Sequence, residues 1–581
     1  MFINYFAYSV RRAGWLLALL WLSHSALASS PSVRLEGGPS ELRENIRHFL
    51  TIAEEPCATP QWRLRALLRD VDRQIQSAAQ ALGYYHVEST KELSRDDDCW
   101  ALDITLDPGE PMLISAVEVR IEGEGEDDPA FVSLRRNPGV REGERLNHGR
   151  YESYKNRFGA IASSRGYFDA RFERARINVN RSENTARIEL HYITGPRYRF
   201  GEITLSHDIL GEPLLKRYLT FEPGDPYDTD KLMELKSLYN ASDYFQNARV
   251  APRLQSLSGE EVPVEIELEG RKRRSYSVGA GYATDTGPRI LFGYEDRYVN
   301  DRGHSWKAET RLSEVKSTLE TVYSIPMTRP AYESVQLVAG VEREDTRVAI
   351  SDRYTVGTRY TRWQDNQWLQ TYSINYEMEN FVIGSEPRQR SHLLIPAFAM
   401  SRTKADGSNY PTEGWSLMGR ISGSPETFGS DFSFLQVMGR AKYIQSVGTG
   451  RLLLRAEGGA TAMDEFDRLP PSVRFFAGGD ASVRGYSYKS LGPTNDEGEV
   501  IGGNHMLVGS VEYDYRFRPS WAAAVFMDAG NAFNDSDFTV KRSAGVGVRW
   551  ISPIGPIRVD VARALDDEGG WQLHLSMGPD L

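Results

Sequence analysis

The chain has 581 residues, more than one ordinary domain holds, so several domains are expected before any motif is read. Acidic residues outnumber basic ones, 80 against 69, for a formal charge of −11, which argues against a nucleic-acid partner needing a concentrated basic face. Mean hydropathy is negative, yet aromatics reach 11% and glycines number 51, a mixture that suits a barrel with a polar lumen, a lipid-facing apolar band and aromatic girdles.

The N-terminus reads as a secretory signal, residues 1–28. Arg11 and Arg12 supply a positive start, Trp15 to Leu22 a short apolar core, and Ala26-Leu27-Ala28 a small-residue cleavage site before Ser29. The apolar run is too short to span a bilayer comfortably, which weighs against a retained anchor. No later run is long enough for a transmembrane helix, so any crossing falls to closed strands, because lipid tolerates no open sheet edge. Export also permits disulfides. Cys57 and Cys99 both lie in the first repeat, and a bond between them is expected to restrict the unfolded chain by about 4 kcal/mol on the loop-entropy view.

From Ser32 to about Arg271 a pattern recurs three times, over 29–112, 113–195 and 196–272. Each unit opens with a strand, continues through a helical region to an aromatic corner, and closes with an alternating strand. Leu64, Leu67, Leu68, Val71, Ile75 and Leu82 have the spacing of one apolar helix face. Tyr151, Tyr154, Phe158 and Ile161 repeat it, as do Leu232, Leu235 and Tyr239. The corners are Gly83-Tyr84-Tyr85, Gly166-Tyr167-Phe168 and Asp243-Tyr244-Phe245. Period-two strands follow around Leu102, Ile188 and Val264, and the turns Pro108-Gly109 and Gly195-Pro196 mark joints between units.

From 273 to 581 helical spacing disappears. Val511, Tyr513, Tyr515 and Phe517 alternate with Glu512, Asp514 and Arg516; Ala544 to Trp550 alternate with Gly545, Gly547 and Arg549; Leu573 and Leu575 alternate with Gln572, His574 and Ser576. A tilted crossing strand takes about 9–11 residues, so this region has room for about 16 antiparallel strands with loops. A soluble β-sandwich would alternate too, but charges set repeatedly opposite aromatic faces in one uninterrupted block favour a transmembrane barrel.

Four ordered motifs carry a resemblance. Phe475-Phe476-Ala477-Gly478-Gly479-Asp480 followed by Val483-Arg484-Gly485-Tyr486 resembles the signature loop of the BamA/TamA superfamily. Phe526-x-Asp528-x-Gly530 resembles its F-x-D-x-G strand, Trp550 to Arg558 its penultimate hairpin, and Tyr410-Pro411-Thr412-Glu413-Gly414 an upstream turn. The three N-terminal units are similar to POTRA domains. The resemblance implies a fold of α+β POTRA repeats followed by an antiparallel barrel whose VRGY loop folds into the lumen. Arg484 would then be an enclosed cation facing Asp528, with Gly485 allowing the turn and Tyr486 packing on the wall: a lock for the loop. Glu512 and Asp560 are alternative inward partners for Arg484.

The resemblance also implies a lateral gate where the first and last strands meet. Gly279 and Gly281 weaken the first strand, while Leu573, Leu575 and Gly578 belong to the last, and an unpaired edge there would accept a client strand by β-augmentation. Three POTRA units suit the TamA branch, which implies an outer-membrane assembly factor for autotransporters and related barrels. The POTRA units would stand in the periplasm, with a TamB-like inner-membrane-anchored partner, client proteins and outer-membrane lipid as contacts. A two-partner secretion pore is the alternative. No H-E-x-x-H, G-x-S-x-G or P-loop occurs and the ten histidines lack metal-ligand spacing, so no enzyme, cofactor or metal is expected. Asp96-Asp97-Asp98 reads as a solvated acidic turn.

Overall fold

A computed structural model describes residues 30–581 apart from 97–98, 408, 535–536, 554, 568–569 and 579. The expected signal, residues 1–28, lies outside the described residues, as do Asp97, Asp98 and Gly569. No helix among the described residues is long and apolar enough to cross a membrane.

The chain forms two compact units. The first holds two α+β modules and parts of a third. In module one, β1 (Ser32–Glu36), α1 (Ser40–Phe49), α2 (Gln61–Ala81), β2 (Glu88–Arg95) and β3 (Trp100–Asp107) follow in order. The sheet order is β1-β3-β2, with β1 parallel to β3, so the last strand lies in the middle. Alternation in β3 turns Trp100, Leu102, Ile104 and Leu106 onto the helices, where they meet buried Leu64, Val71 and Ile75. Cys57 and Cys99 are joined by a disulfide that closes a 42-residue separation.

Module two repeats the plan with β4 (Leu113–Glu122), α3 (Pro129–Arg136), α4 (His148–Arg165), β5 (Arg171–Asn180) and β6 (Thr185–Ile193), in sheet order β4-β6-β5. Asp128 caps α3 by accepting from the Ala130 N–H at 2.9 Å, and Pro129 supplies a preset first helical turn. The aromatic corners have a second use as joints. Tyr85 of the first reaches His148 at 2.8 Å, and Phe168 of the second packs edge-on against Tyr198 and Tyr227 of module three. In that module β7 (Arg199–His207), α5 (Glu212–Lys216), α6 (Thr229–Ala241), β8 (Phe245–Pro252) and β9 (Glu261–Gly270) form the sheet β7-β9-β8.

The second unit contains the rest of module three and a 16-stranded antiparallel barrel. Its early strands are β10 (Arg274–Ala283), β11 (Gly287–Asp296), β12 (Ser305–Ser313), β13 (Lys316–Pro326), β14 (Glu333–Asp345) and β15 (Ala349–Trp363). Next come β16 (Leu369–Ile383), β17 (Gln389–Ala405), β18 (Gly414–Ser424), β19 (Phe434–Val447) and β20 (Gly450–Ala462). The last five are β21 (His505–Arg518), β22 (Trp521–Phe533), β23 (Lys541–Ser552), β24 (Gly555–Ala564) and β25 (Trp571–Met577). Each strand pairs with its sequence neighbour, so among the described residues closure falls to the seam between the first hairpin and β25. The third corner again serves as a joint: the Tyr244 hydroxyl donates to the Gly303 carbonyl in the turn between β11 and β12.

Period-two alternation gives the barrel its two faces. Tyr276, Val278, Val525, Val546 and Leu573 point outward and are exposed, while Glu512, Asp514, Asp528, Arg549, Asp560 and His574 point inward and are buried. The proximal end is where β10 begins and the distal end where it finishes. The 463–504 segment joins β20 to β21 at the distal end and enters the lumen.

Candidate functional site

The inward segment brings Val483-Arg484-Gly485-Tyr486 against β21, β22, β24 and β25. All five guanidinium N–H groups of Arg484 have acceptors. Its Nε and Nη2 donate to Asp528 at 2.8 and 2.9 Å. Nη1 donates to Glu512 at 2.6 Å and to Asp560 at 3.1 Å, and Nη2 also reaches Ser510 at 3.2 Å. The Arg484 backbone N–H adds a third bond to Asp528, at 3.0 Å. A buried guanidinium is tolerable only when so satisfied. Of the three acids the sequence left open, the structure brings all of them to the one arginine.

The F-x-D-x-G strand explains two further features. Phe526 and Asp528 share the inward face of β22, and the Arg484 guanidinium carbon lies 3.4 Å from the Phe526 ring centre, a desolvated cation–π contact. Gly545, across on β23, leaves room for that ring, since any Cβ there would collide with it. Gly485 sits at φ +87°, and a Cβ on it would stand 3.0 Å from the backbone of Arg563 and Ala564, so glycine lets the loop lie flat on β24. Tyr486 packs against the wall, its hydroxyl reaching the Arg542 carbonyl at 3.4 Å. Burial, reinforced by Asp567 and Asp566, pushes its phenol up to about 12, so it stays a neutral hydroxyl.

The other two motifs join the same network nearer the proximal end. Arg549, fully enclosed on β23, donates to Glu512 at 2.7 and 3.1 Å and pairs with Asp560, closing a ring of two arginines and two acids. Arg451 on β20 donates to Asp514 at 2.9 and 3.1 Å and to the Pro411 carbonyl at 2.6 Å, while the Tyr410 ring covers its guanidinium at 3.3 Å. Asp580 in the tail accepts from Arg451 at 2.7 Å and also pairs with Arg558.

The seam is built differently. Among the described residues no ladder joins β10 to β25; the first hairpin meets the last strand through Thr284. Its N–H donates to the Leu575 carbonyl at 3.3 Å, and its hydroxyl accepts from the Leu575 N–H at 3.1 Å. Gly279 and Gly281 face inward on β10, Leu573 faces outward on β25, and the Gly578 N–H donates to the Pro556 carbonyl at 3.2 Å. Leu575 is held by Thr284, five residues beyond Gly279, because β25 is short and lies beside the distal end of the first hairpin.

Sequence reasoning assigned no role to Arg451, Arg549, Asp480, Thr284, Asp285 or His574. Their signal was weak but present, since Arg549 and His574 occupy inward positions in strands otherwise lined by small or neutral residues.

Residues 273–579, more than half of the chain, match the Omp85 superfamily domain, and residues 32–108 match the first POTRA domain of TamA. The outer membrane protein assembly factor BamA of Nitratidesulfovibrio vulgaris is 23% identical over 385 residues, covering 62% of this chain and 47% of that protein. BamA of Neisseria meningitidis is 23% identical over 456 residues, covering 66% and 56%. The chain thus spans about half the length of the curated relatives it matches. Crystalline BamA from Haemophilus ducreyi lacking POTRA domains 1-3 superposes with a TM-score of 0.65 at 18% identity, covering 80% of this chain and 98% of that one, a likeness of fold. With POTRA-type modules, a 16-stranded barrel and a lumen loop tied by Arg484 to Asp528, the chain belongs to the Omp85 superfamily, the superfamily of BamA and TamA.

Proposed function

We propose that the protein is an outer-membrane assembly factor of the TamA type, inserting autotransporters and related barrels through a lateral gate between β10 and β25. The observation that carries this reading is the seam. Fifteen strand pairs are zipped by ladders, while the sixteenth is held by Thr284 and its neighbours, leaving backbone edges that natural sheets ordinarily cover. Such an edge is a template for a client strand, and β-augmentation needs no catalytic residue or cofactor. The bonds of Arg484 support a second role, a lock that keeps the loop in the lumen and shapes the wall beside the seam.

The match of residues 32–108 to a TamA-type POTRA domain supports the TamA branch. On that reading the three modules stand in the periplasm and meet a TamB-like inner-membrane-anchored protein, with outer-membrane lipid around the barrel. Cysteines at Thr284 and Leu575 test the gate. Their oxidation should block client insertion in cells and reduction should restore it; full insertion by the oxidised form removes the gate. Crosslinking in intact cells, with a tag on the first module, tests the partner. A very large inner-membrane-anchored protein is expected, whereas one abundant exported polypeptide without it would point to two-partner secretion.

A further inference from the structure

His574 sits where three separate parts of the chain meet. It is buried on the inward face of β25, directly across from Asp560 of β24. Its Nε2 accepts from the Gly485 N–H at 2.8 Å. A backbone N–H can only donate, so Nε2 carries the lone pair and Nδ1 carries the proton, which is given to Asp480 at 2.6 Å. Both contacts hold the inward loop to the last strand, and the second continues to the first hairpin. Asp480 accepts from the Thr284 hydroxyl at 2.8 Å, and its N–H donates to Asp285 at 2.7 Å. Thr284 is the residue that bonds Leu575 of β25. Asp285, Asp480 and His574 have their side-chain polar atoms within 4.8 Å of one another.

We propose that His574 is a positioning residue that makes the lumen loop and the seam a single latch. Separating β25 from the first hairpin strips the Thr284 contact from Leu575 and pulls His574 away from the Asp480 held by that hairpin. His574 then loses the contact that fixes its ring, and the Gly485 N–H is left with a loosely held acceptor inside the lumen, where an unpaired donor is costly. Opening the seam therefore loosens the loop, and a loop withdrawn from the lumen loosens the seam. This deepens the gate reading and rests on it, because it assigns the coupling by which an opened wall would release the loop beside it.

Amide hydrogen exchange on the purified full chain in lipid nanodiscs tests the coupling. The protein carries cysteines at Thr284 and Leu575 and is measured oxidised and reduced; Thr284→Cys alone controls for reduction of Cys57–Cys99. Oxidation should slow exchange over residues 479–486, Gly485 above all, by about tenfold, a usual size for coupling between two sites. In His574→Ala the oxidised and reduced forms should exchange alike. An undiminished difference in His574→Ala, or no difference in the parent, overturns the proposal. Should the cysteine pair fail to close, His574→Ala in the otherwise unaltered chain must raise exchange both at 479–486 and at Thr284 and Leu575; a rise confined to the loop overturns it. The gate itself is read separately. A staple that blocks insertion without slowing the loop removes the coupling and leaves the gate, while a slowed loop with insertion intact does the reverse.

Discussion

In the second α+β module Phe158 and Ile188 are sealed from solvent, whereas in the barrel Tyr276 and Val278 point outward and the sealed residues include Arg549 and Asp528. The modules follow the rule of soluble domains, in which apolar area removed from water is the main favourable term. In the barrel the apolar wall residues mostly face outward, and the buried apolar clusters inside it are small, such as Ala477 and Val483 of the loop against Val508 and Ala532. Beside them its lumen is organised by charged hydrogen bonds, which are directional and fail sharply when one partner is lost. The difference teaches where each region is vulnerable: the modules to lost volume, the lumen to lost charge.

The largest effect should come from Arg484→Ala. It leaves Asp528, Glu512 and Asp560 facing one another, with Arg549 bonded to two of them and Arg455 near Asp528, and removing one member of a buried ion pair typically costs about 3–5 kcal/mol. Client insertion should fall at least tenfold, while the barrel still shows a heat-modifiable gel band. Asp528→Asn should do less harm, because its amide oxygen still accepts from Arg484 and two acids remain. Heat-modifiable protein of unaltered activity would rule out the lock.

A matching change of volume is Leu102→Ala in β3. This side chain is fully buried between sheet and helices, and its truncation should cost the first module about 2–5 kcal/mol in thermal or urea unfolding. The barrel should keep its own transition. Combined with Arg484→Ala, the two losses should add to within about 0.5 kcal/mol, since the residues share no partner. Strong non-additivity would mean that module and lumen are not the independent systems the comparison makes them.

The same contrast decides what the sequence could tell. Helix spacing exposed Leu64, Val71 and Ile75, and strand parity exposed Leu102 and Ile188, because local periodicity reports which face is buried. Parity also turned Glu512, Asp528 and Asp560 inward. It could not say which inward residue meets which, because barrel stagger sets that pairing, and it left the partner of Arg484 open among the three. His574 with Gly485, and Thr284 with Leu575, join positions 89 and 291 residues apart, beyond the reach of any local pattern. The first and last strands have no turn between them to set their register, which is why the sequence left open which residue of the first hairpin meets Leu575.

A smaller effect is expected at the disulfide. Cys57→Ser with Cys99→Ser should lower the stability of the first module by about 2–4 kcal/mol, mostly by freeing the unfolded chain. Its module packing should persist at low temperature, because Trp100 and Leu102 remain in the core. Unfolding monitored by Trp100 fluorescence would measure the loss, and an equal loss in the barrel transition would contradict the separation of the two regions.

The smallest predicted effect lies at the seam and depends on pH. Burial, then the charge of Asp480, push the Asp285 carboxyl in the turn after β10 up to about 7. A carboxyl raised in the closed state holds a proton that the open, solvated turn releases, so closing takes up a proton between about pH 4 and pH 7. Contact between hairpin and loop should therefore be strongest below the ordinary carboxylate range, weaken as pH rises from there through about 7, and level off above it. The charge of Asp480 opposes a charged Asp285 even though the Asp480 N–H donates to it, so the titration of Asp285 would be felt directly by the loop. Exchange at residues 479–486, corrected for the intrinsic pH dependence of amides, should be a few-fold slower at about pH 6 than at about pH 8. Asp285→Asn removes the titrating group while keeping an acceptor, and should flatten that difference; a pH response that survives the substitution would place its origin at another group of the seam.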